Sequence, residues 1–215
     1  MSLLRGIPMH RANYAVLIVL LTGMMSGCGG TRPTKYYVLD VPATPVGQPS
    51  AQYPVSLLVA RPITSHLYRD DRIVFGSGPV ELGTYEFHRW AQSPADMVQD
   101  LLVNYLRATH QYRSVLRPGS NARGEFIVRS YLRSLYEVDS PEFVARFSIH
   151  IDLYDPTAGA TVWSANYTHD EPVDGKSVNA VVEALDKNVR AGMQQLTTEL
   201  GQYFAEHAPK AEGAQ

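Results

Sequence analysis

Phe143-Val-Ala-Arg-Phe-Ser-Ile-His-Ile-Asp-Leu-Tyr154 decides the fold class. Phe143, Ala145, Phe147, Ile149, Ile151 and Leu153 fall on one side of an extended chain, and Val144, Arg146, Ser148, His150, Asp152 and Tyr154 on the other. Successive side chains of a strand point to opposite faces, so this is a strand with one apolar and one polar face. That alternation marks an antiparallel sheet covered on one side only.

The neighbouring segments continue the pattern. Upstream, from Glu125 to Val138, Phe126, Val128, Leu132, Tyr136 and Val138 share one parity, and Arg129, Tyr131 and Arg133 take the other. Downstream, Asp155-Pro-Thr-Ala-Gly159 reads as a turn into a strand over Thr161 to Thr168, with Trp163, Ala165 and Tyr167 on one side. Two amphipathic helices flank this meander. The first begins at Ser93, a good N-cap, with Pro94 at the first helical position and Asp96 placed to reach back to the cap amide. Its apolar face is Val98, Leu101, Leu102, Tyr105 and Leu106. The second runs from about Ser177 to Ala205, with Val181, Val182, Leu185, Val189, Met193, Leu196, Leu200 and Phe204 on one stripe. The expected fold is therefore α+β: an antiparallel sheet with two amphipathic helices packed on one face.

Nearer the N-terminus, Lys35 to Val41 is a short β-rich run, followed by a Pro- and Gly-punctuated linker from Pro42 to Tyr53. Val55 to Ala60 reads as a buried strand, and residues 61 to 70 as an irregular turn. Then come Arg72 to Phe75, a turn at Gly76-Ser77-Gly78-Pro79, and a strand-like Val80 to Phe87.

The chain has 215 residues, 45% of them apolar and 19% charged, which suits one folded domain. Its single cysteine rules out an internal disulfide and a thiolate zinc cage. A net charge of -2 offers no footprint for a phosphate backbone, so no nucleic-acid partner is expected. The cysteine has a meaning of its own. Arg5 and Arg11 precede the apolar run Ala15 to Leu21, which is shorter than the roughly 20 residues a spanning helix needs, and Met25-Ser26-Gly27-Cys28 follows. This resembles a bacterial lipobox: cleavage between Gly27 and Cys28, with lipid carried on Cys28. The expected organisation is a signal peptide over 1–27, an acylated tether over 28–34, a folded domain over 35–207 and a disordered tail over 208–215. Gly29 rather than Asp after the cysteine resembles lipoproteins sorted to the outer membrane.

Catalytic chemistry is hard to find. The seven histidines make no helical pair, and no metal site or cofactor is expected. Gly76-Ser77-Gly78 lacks the Lys and the strand-to-helix context of a phosphate loop. His150 and Asp152 share a strand face and read as a solvent-facing polar pair, and Asp170, Glu171 and Asp174 read as a solvated loop. The unusual stretches are Tyr68 to Val74 and Tyr85 to Trp90, which mix charges with aromatics in non-helical sequence. Arg72, Tyr85, Arg89 and Trp90 are the candidates for a partner-binding surface or, equally, for local support by Arg/Asp pairs and a buried Trp.

In order along the chain, Tyr36-Tyr37-Val38-Leu39, Arg72-Ile73-Val74, Tyr85-Glu-Phe-His-Arg89-Trp90-Ala91, Val162-Trp163 and the last long helix resemble the ABC-type transport auxiliary lipoproteins, which include paraquat-inducible protein C-like proteins. One departure is Leu67-Tyr68-Arg69-Asp70-Asp71-Arg72, where the family carries a Leu-Asp-Arg-Pro-type turn. The resemblance implies a non-enzymatic accessory protein on the outer membrane, facing the periplasm. It also implies an MCE-domain transport protein as partner, in a system moving lipids or other hydrophobic molecules between membranes. A homo-oligomer is compatible with it. Two other readings stand beside it: a carrier enclosing a hydrophobic ligand, and an assembly or structural lipoprotein of the outer membrane.

Overall fold

The computed structural model describes residues 32–39, 52–76, 80–119 and 122–207. Gly27, Cys28, the turn residues 77–79, most of the linker after Val41 and the tail from 208 lie outside them. Among these described residues, nine strands and two α-helices follow in order: β1 (Lys35–Tyr37), β2 (Tyr53–Val59), β3 (Ile63–Thr64), β4 (Arg72–Gly76), β5 (Leu82–Trp90), α1 (Pro94–Ala108), β6 (Tyr112–Leu116), β7 (Phe126–Val138), β8 (Val144–Asp155), β9 (Ala160–Pro172) and α2 (Val178–Glu206). The α+β class holds.

The spine of the sheet is β7. Along one edge it pairs antiparallel with β8, which pairs antiparallel with β9, so the C-terminal meander is as the alternation predicts. Along its other edge β7 meets three short strands in succession, all parallel: β2 at Phe126–Val128, β3 at Tyr131 and Leu132, and β4 at Tyr136–Val138. The sheet is thus mixed. Beyond these, β6 adds parallel to β2, β5 antiparallel to β4, and β1 parallel to β5. Residues 61–70 are more regular than expected, since they hold β3 and a 3₁₀ turn at His66–Tyr68.

One face of the sheet is covered by both helices, α1 over β2 and β6, α2 over β7 to β9, with the two helices touching. Phe147, Ile149, Ile151 and Leu153 of β8 are buried beneath them, as are Ala165 and Tyr167 of β9. The parity expected for β7 fails halfway. Leu132 faces Ile149 but Ser134 faces Ser148, leaving Arg133 as an extra residue. Such a bulge swaps the faces of everything after it. Leu135 therefore joins the helix side opposite Phe147, while Tyr136 lies opposite Arg146 on the other face.

Local chemistry explains the helix ends. Ser93 Oγ accepts from the Asp96 amide at 3.3 Å and Pro94 opens α1. The Asp96 carboxylate takes the Ser93 hydroxyl at 2.6 Å and Arg61 at 2.6 Å rather than the cap amide. Ser177 caps α2 through the Ala180 amide. At the far end of α2, Phe204 is packed among Tyr53, Tyr112 and Phe126, which fixes the helix on the start of β2, β6 and β7.

Candidate functional site

The sequence candidates converge on the outer strands β4, β5 and β1. Arg72 stands opposite Arg89 across β4 and β5, and Tyr36 lies beside Arg89 across β1 and β5. Residues abreast in neighbouring strands share a face, so Tyr36, Arg89 and Arg72 form one row. Tyr36 is 65% exposed. Two arginines abreast repel, and two aspartates from the preceding turn relieve it: Arg89 Nη1 contacts Asp71 Oδ1 at 2.7 Å, and Arg72 Nε is 3.7 Å from Asp70 Oδ2. The Asp71 amide donates to the Asp70 carboxylate, and this bond, with Arg72 and Arg89 nearby, holds that carboxyl below the usual range.

Tyr85 and Trp90 turn the other way. Between the Val74–Thr84 and Arg72–Arg89 pairs, β5 spends four residues where β4 spends one. The excess lets Tyr85 and His88 approach each other at 5.6 Å. Tyr85 packs its ring 4.9 Å from Phe75 and donates its hydroxyl to Glu137 Oε2 at 2.7 Å. Burial, then the carboxylate, pushes the Tyr85 hydroxyl up, and burial pushes Glu137 up despite the bond it accepts. The Tyr37 hydroxyl donates to Asn179 Oδ1 at 3.0 Å and lies 2.8 Å from His88 Nδ1. Because that hydroxyl's proton is used on Asn179, His88 donates from Nδ1. Burial lowers the His88 pKa, with Lys35 adding to it. Trp90 is 1% exposed, and its amide donates to the Asp71 carbonyl at 2.6 Å.

The four candidates thus divide. Arg72 and Arg89 belong to a surface row, whereas Tyr85 and Trp90 support it from beneath. Tyr36 is the residue that the sequence did not single out; three residues of strand carry too little alternation to assign its face.

The opposite, uncovered face of β7 to β9 is polar. His150 Nε2 lies 2.9 Å from Asp152 Oδ1 and Nδ1 2.9 Å from Asn166 Oδ1, with the Tyr131 ring at 5.6 Å. The pair is half-buried by these neighbours rather than fully solvent-facing. Asp170 sits in β9, in a two-pronged ion pair with Arg146 at 2.7 and 2.6 Å, so it is a sheet residue and not part of a loop. Among the described residues no three His, Cys, Asp or Glu side chains come together as a metal-ligand set.

A mixed sheet backed by two helices on one face, with a charged and aromatic row on its outer strands, defines the structural class. A solved DUF330 protein of Xanthomonas campestris shares it with a TM-score of 0.72 and 22% identity, over 80% of this chain and 99% of that one. A second solved protein, described as uncharacterized, matches with a TM-score of 0.59 and 11% identity, over 79% and 99% of the two chains. No curated protein matches. The chain belongs to the family described as ABC-type transport auxiliary lipoprotein component, whose family model matches residues 37–199.

Proposed function

We propose that this protein is a lipid-anchored accessory component of an intermembrane transport system built on an ABC transporter and an MCE-domain protein. In this reading it docks that machinery at the outer membrane and faces the periplasm. The observation that carries it is the family match over residues 37–199, which begins soon after the lipobox-like Met25 to Cys28. Residues 1–27 are then removed and Cys28 bears the acyl chains, each buried CH₂ adding about 0.8 kcal/mol of anchoring. The six tether residues 29–34 reach about 20 Å at 3.3 to 3.6 Å per residue. The domain over 35–207 is accordingly held near the membrane surface, with 208–215 as a tail.

For docking, the row Tyr36, Arg89 and Arg72 has the aromatic and arginine chemistry of partner contacts. It carries no catalytic role; the protein acts by binding. Within the core, the tight packing of the helices on β7 to β9 supports docking over a carrier role. The void among Leu102, Leu106, Val128, Ile151 and Trp163 is about 10 Å³, which is no more than a single water needs. A lipid has no room there.

Affinity capture from detergent-solubilised envelopes, with the full-length acylated protein as bait, tests the reading. Recovery of an MCE-type subunit is expected. A folded, acylated bait that recovers none would overturn the docking role.

A further inference from the structure

The C-terminal turns of α1, the C-terminal half of α2 and the start of β2 enclose a cleft of about 360 Å³ that lies away from the Tyr36, Arg89 and Arg72 row. That volume is at the lower end of small-molecule sites, roughly 300 to 1,000 Å³. No lining residue is charged, in a chain where 19% of residues are. Four of the chain's nine glutamines line it: Gln52, Gln111, Gln194 and Gln202.

The hydroxyl groups in the cleft are already engaged. Thr109, Thr197 and Thr198 donate to the carbonyls of Leu106, Met193 and Gln194, each at 2.8 Å, and Tyr53 donates to the Gly201 carbonyl at 3.3 Å. These bonds leave methyl groups and rings as the non-bonding surface. The glutamines differ. Elsewhere among the described residues, Gln92, Gln99 and Gln195 each donate to a protein acceptor, on Asp100, Val59 and Glu199. The side-chain amides of the four cleft glutamines make no hydrogen bond to the described protein, and the buried Tyr105 hydroxyl also lacks a partner.

An amide both donates and accepts, and it brings no charge. Its natural complement is a group that does the same. Sugar hydroxyls fit, and the C–H faces of a pyranose ring suit tyrosine rings and threonine methyls. A phosphate or carboxylate would find no cation here, and an acyl chain would strip water from four amides without replacing their hydrogen bonds. We propose that this cleft is a binding site for a neutral saccharide. The inference is independent of the docking row.

The test uses the full-length protein in detergent, titrated with triacetylchitotriose and with maltotriose and followed by saturation-transfer NMR and calorimetry. A neutral trialanine peptide and phosphocholine serve as the contrasting probes. Saturable binding of at least one sugar at millimolar or lower concentration is expected. Gln194→Ala and Gln202→Ala should each weaken it about fivefold, the equivalent of one lost hydrogen bond. Gln195→Ala, whose amide is already held by Glu199, should leave it unchanged. Failure of both sugars to bind, binding of trialanine or phosphocholine in their place, or sugar binding indifferent to Gln194 and Gln202 would each overturn the assignment. Circular dichroism of the variants separates lost binding from lost fold.

Discussion

Gly192 of α2 lies flat against the ring of Tyr167 on β9: a Cβ at this position would come within 2.8 Å of Tyr167 Cδ1 and 2.9 Å of Phe147 Cε1. The helix can approach the sheet this closely because the residue has no side chain. Gly192→Ala should raise helix propensity yet destabilise the protein by about 1 to 3 kcal/mol, because neither ring can move within a filled core. Thermal unfolding checks this; an unchanged or higher Tm would mean that the rings move aside at no cost.

One turn earlier, Asn188 is fully buried and bonded on all sides. Its Nδ2 donates to the carbonyls of Ala145 at 2.9 Å and His169 at 2.8 Å, and its Oδ1 accepts from the Tyr167 hydroxyl at 3.0 Å. Asn188→Ala strands these groups, and a loss of roughly 2 to 4 kcal/mol is expected in denaturant unfolding. A loss below about 1 kcal/mol would show that water replaces the amide.

Glu137 sets a pH dependence whose sign follows from burial. Its raised carboxyl pKa means that the folded protein holds the proton more tightly than the unfolded chain. That contribution is complete below the unfolded carboxyl's pKa and is lost as pH rises through the folded one. Glu137→Gln keeps an acceptor for Tyr85 while removing the ionisation. The variant's stability relative to the parent should therefore grow as pH rises from the carboxylate range to neutrality; a flat difference across that range in urea titrations would refute the assignment.

The outer row and its support should separate under mutation. Arg89→Ala is expected to leave the fold intact, at a cost of no more than about 1 kcal/mol for a partly exposed ion pair, and to lose capture of the partner. Trp90→Ala should cost about 3 to 5 kcal/mol and unfold the domain or nearly so. Capture retained by Arg89→Ala and Arg72→Ala alike would remove the row from the interface.

Cys28→Ser should shift the protein from the membrane to the soluble fraction and abolish the added acyl mass on the N-terminal peptide. Mass spectrometry of the two forms reads this directly, and a membrane-bound, unmodified parent protein would overturn the lipid anchor.

The parts of the fold legible in the sequence are those written in local periodicity. The helices and β8 follow from apolar spacing: Ala145, Phe147, Ile149, Ile151 and Leu153 are buried as expected, although Val144 and Ser148 of the other side are buried too and Phe143 is only partly so. The parity of β7 was lost at Arg133, because Tyr136 and Val138 are apolar enough to continue the pattern that the bulge interrupts. Strand β6 escaped notice as five residues, Tyr112–Leu116, with a charge and a serine among them. Pairing direction leaves no local trace: β2, β3 and β4 run parallel to a strand that begins 50 residues after β4 ends, at Phe126 against Gly76. The same holds for the surface. Arg72 and Arg89 stood out by composition, while the four cleft glutamines come from separate segments and carry no signal until folding gathers them.

The place of β1 has a mechanical consequence. This three-residue strand is the first element among the described residues, and it joins the sheet parallel to β5, with the Tyr37 carbonyl accepting from Ala91 at 2.7 Å and its hydroxyl reaching Asn179. Tension drawn along the strand from its leading end loads these bonds in shear, so they resist together rather than peeling open one at a time. Under the proposed anchor at Cys28, a pull transmitted through the tether would be borne by these bonds together, without surrendering the outermost strand.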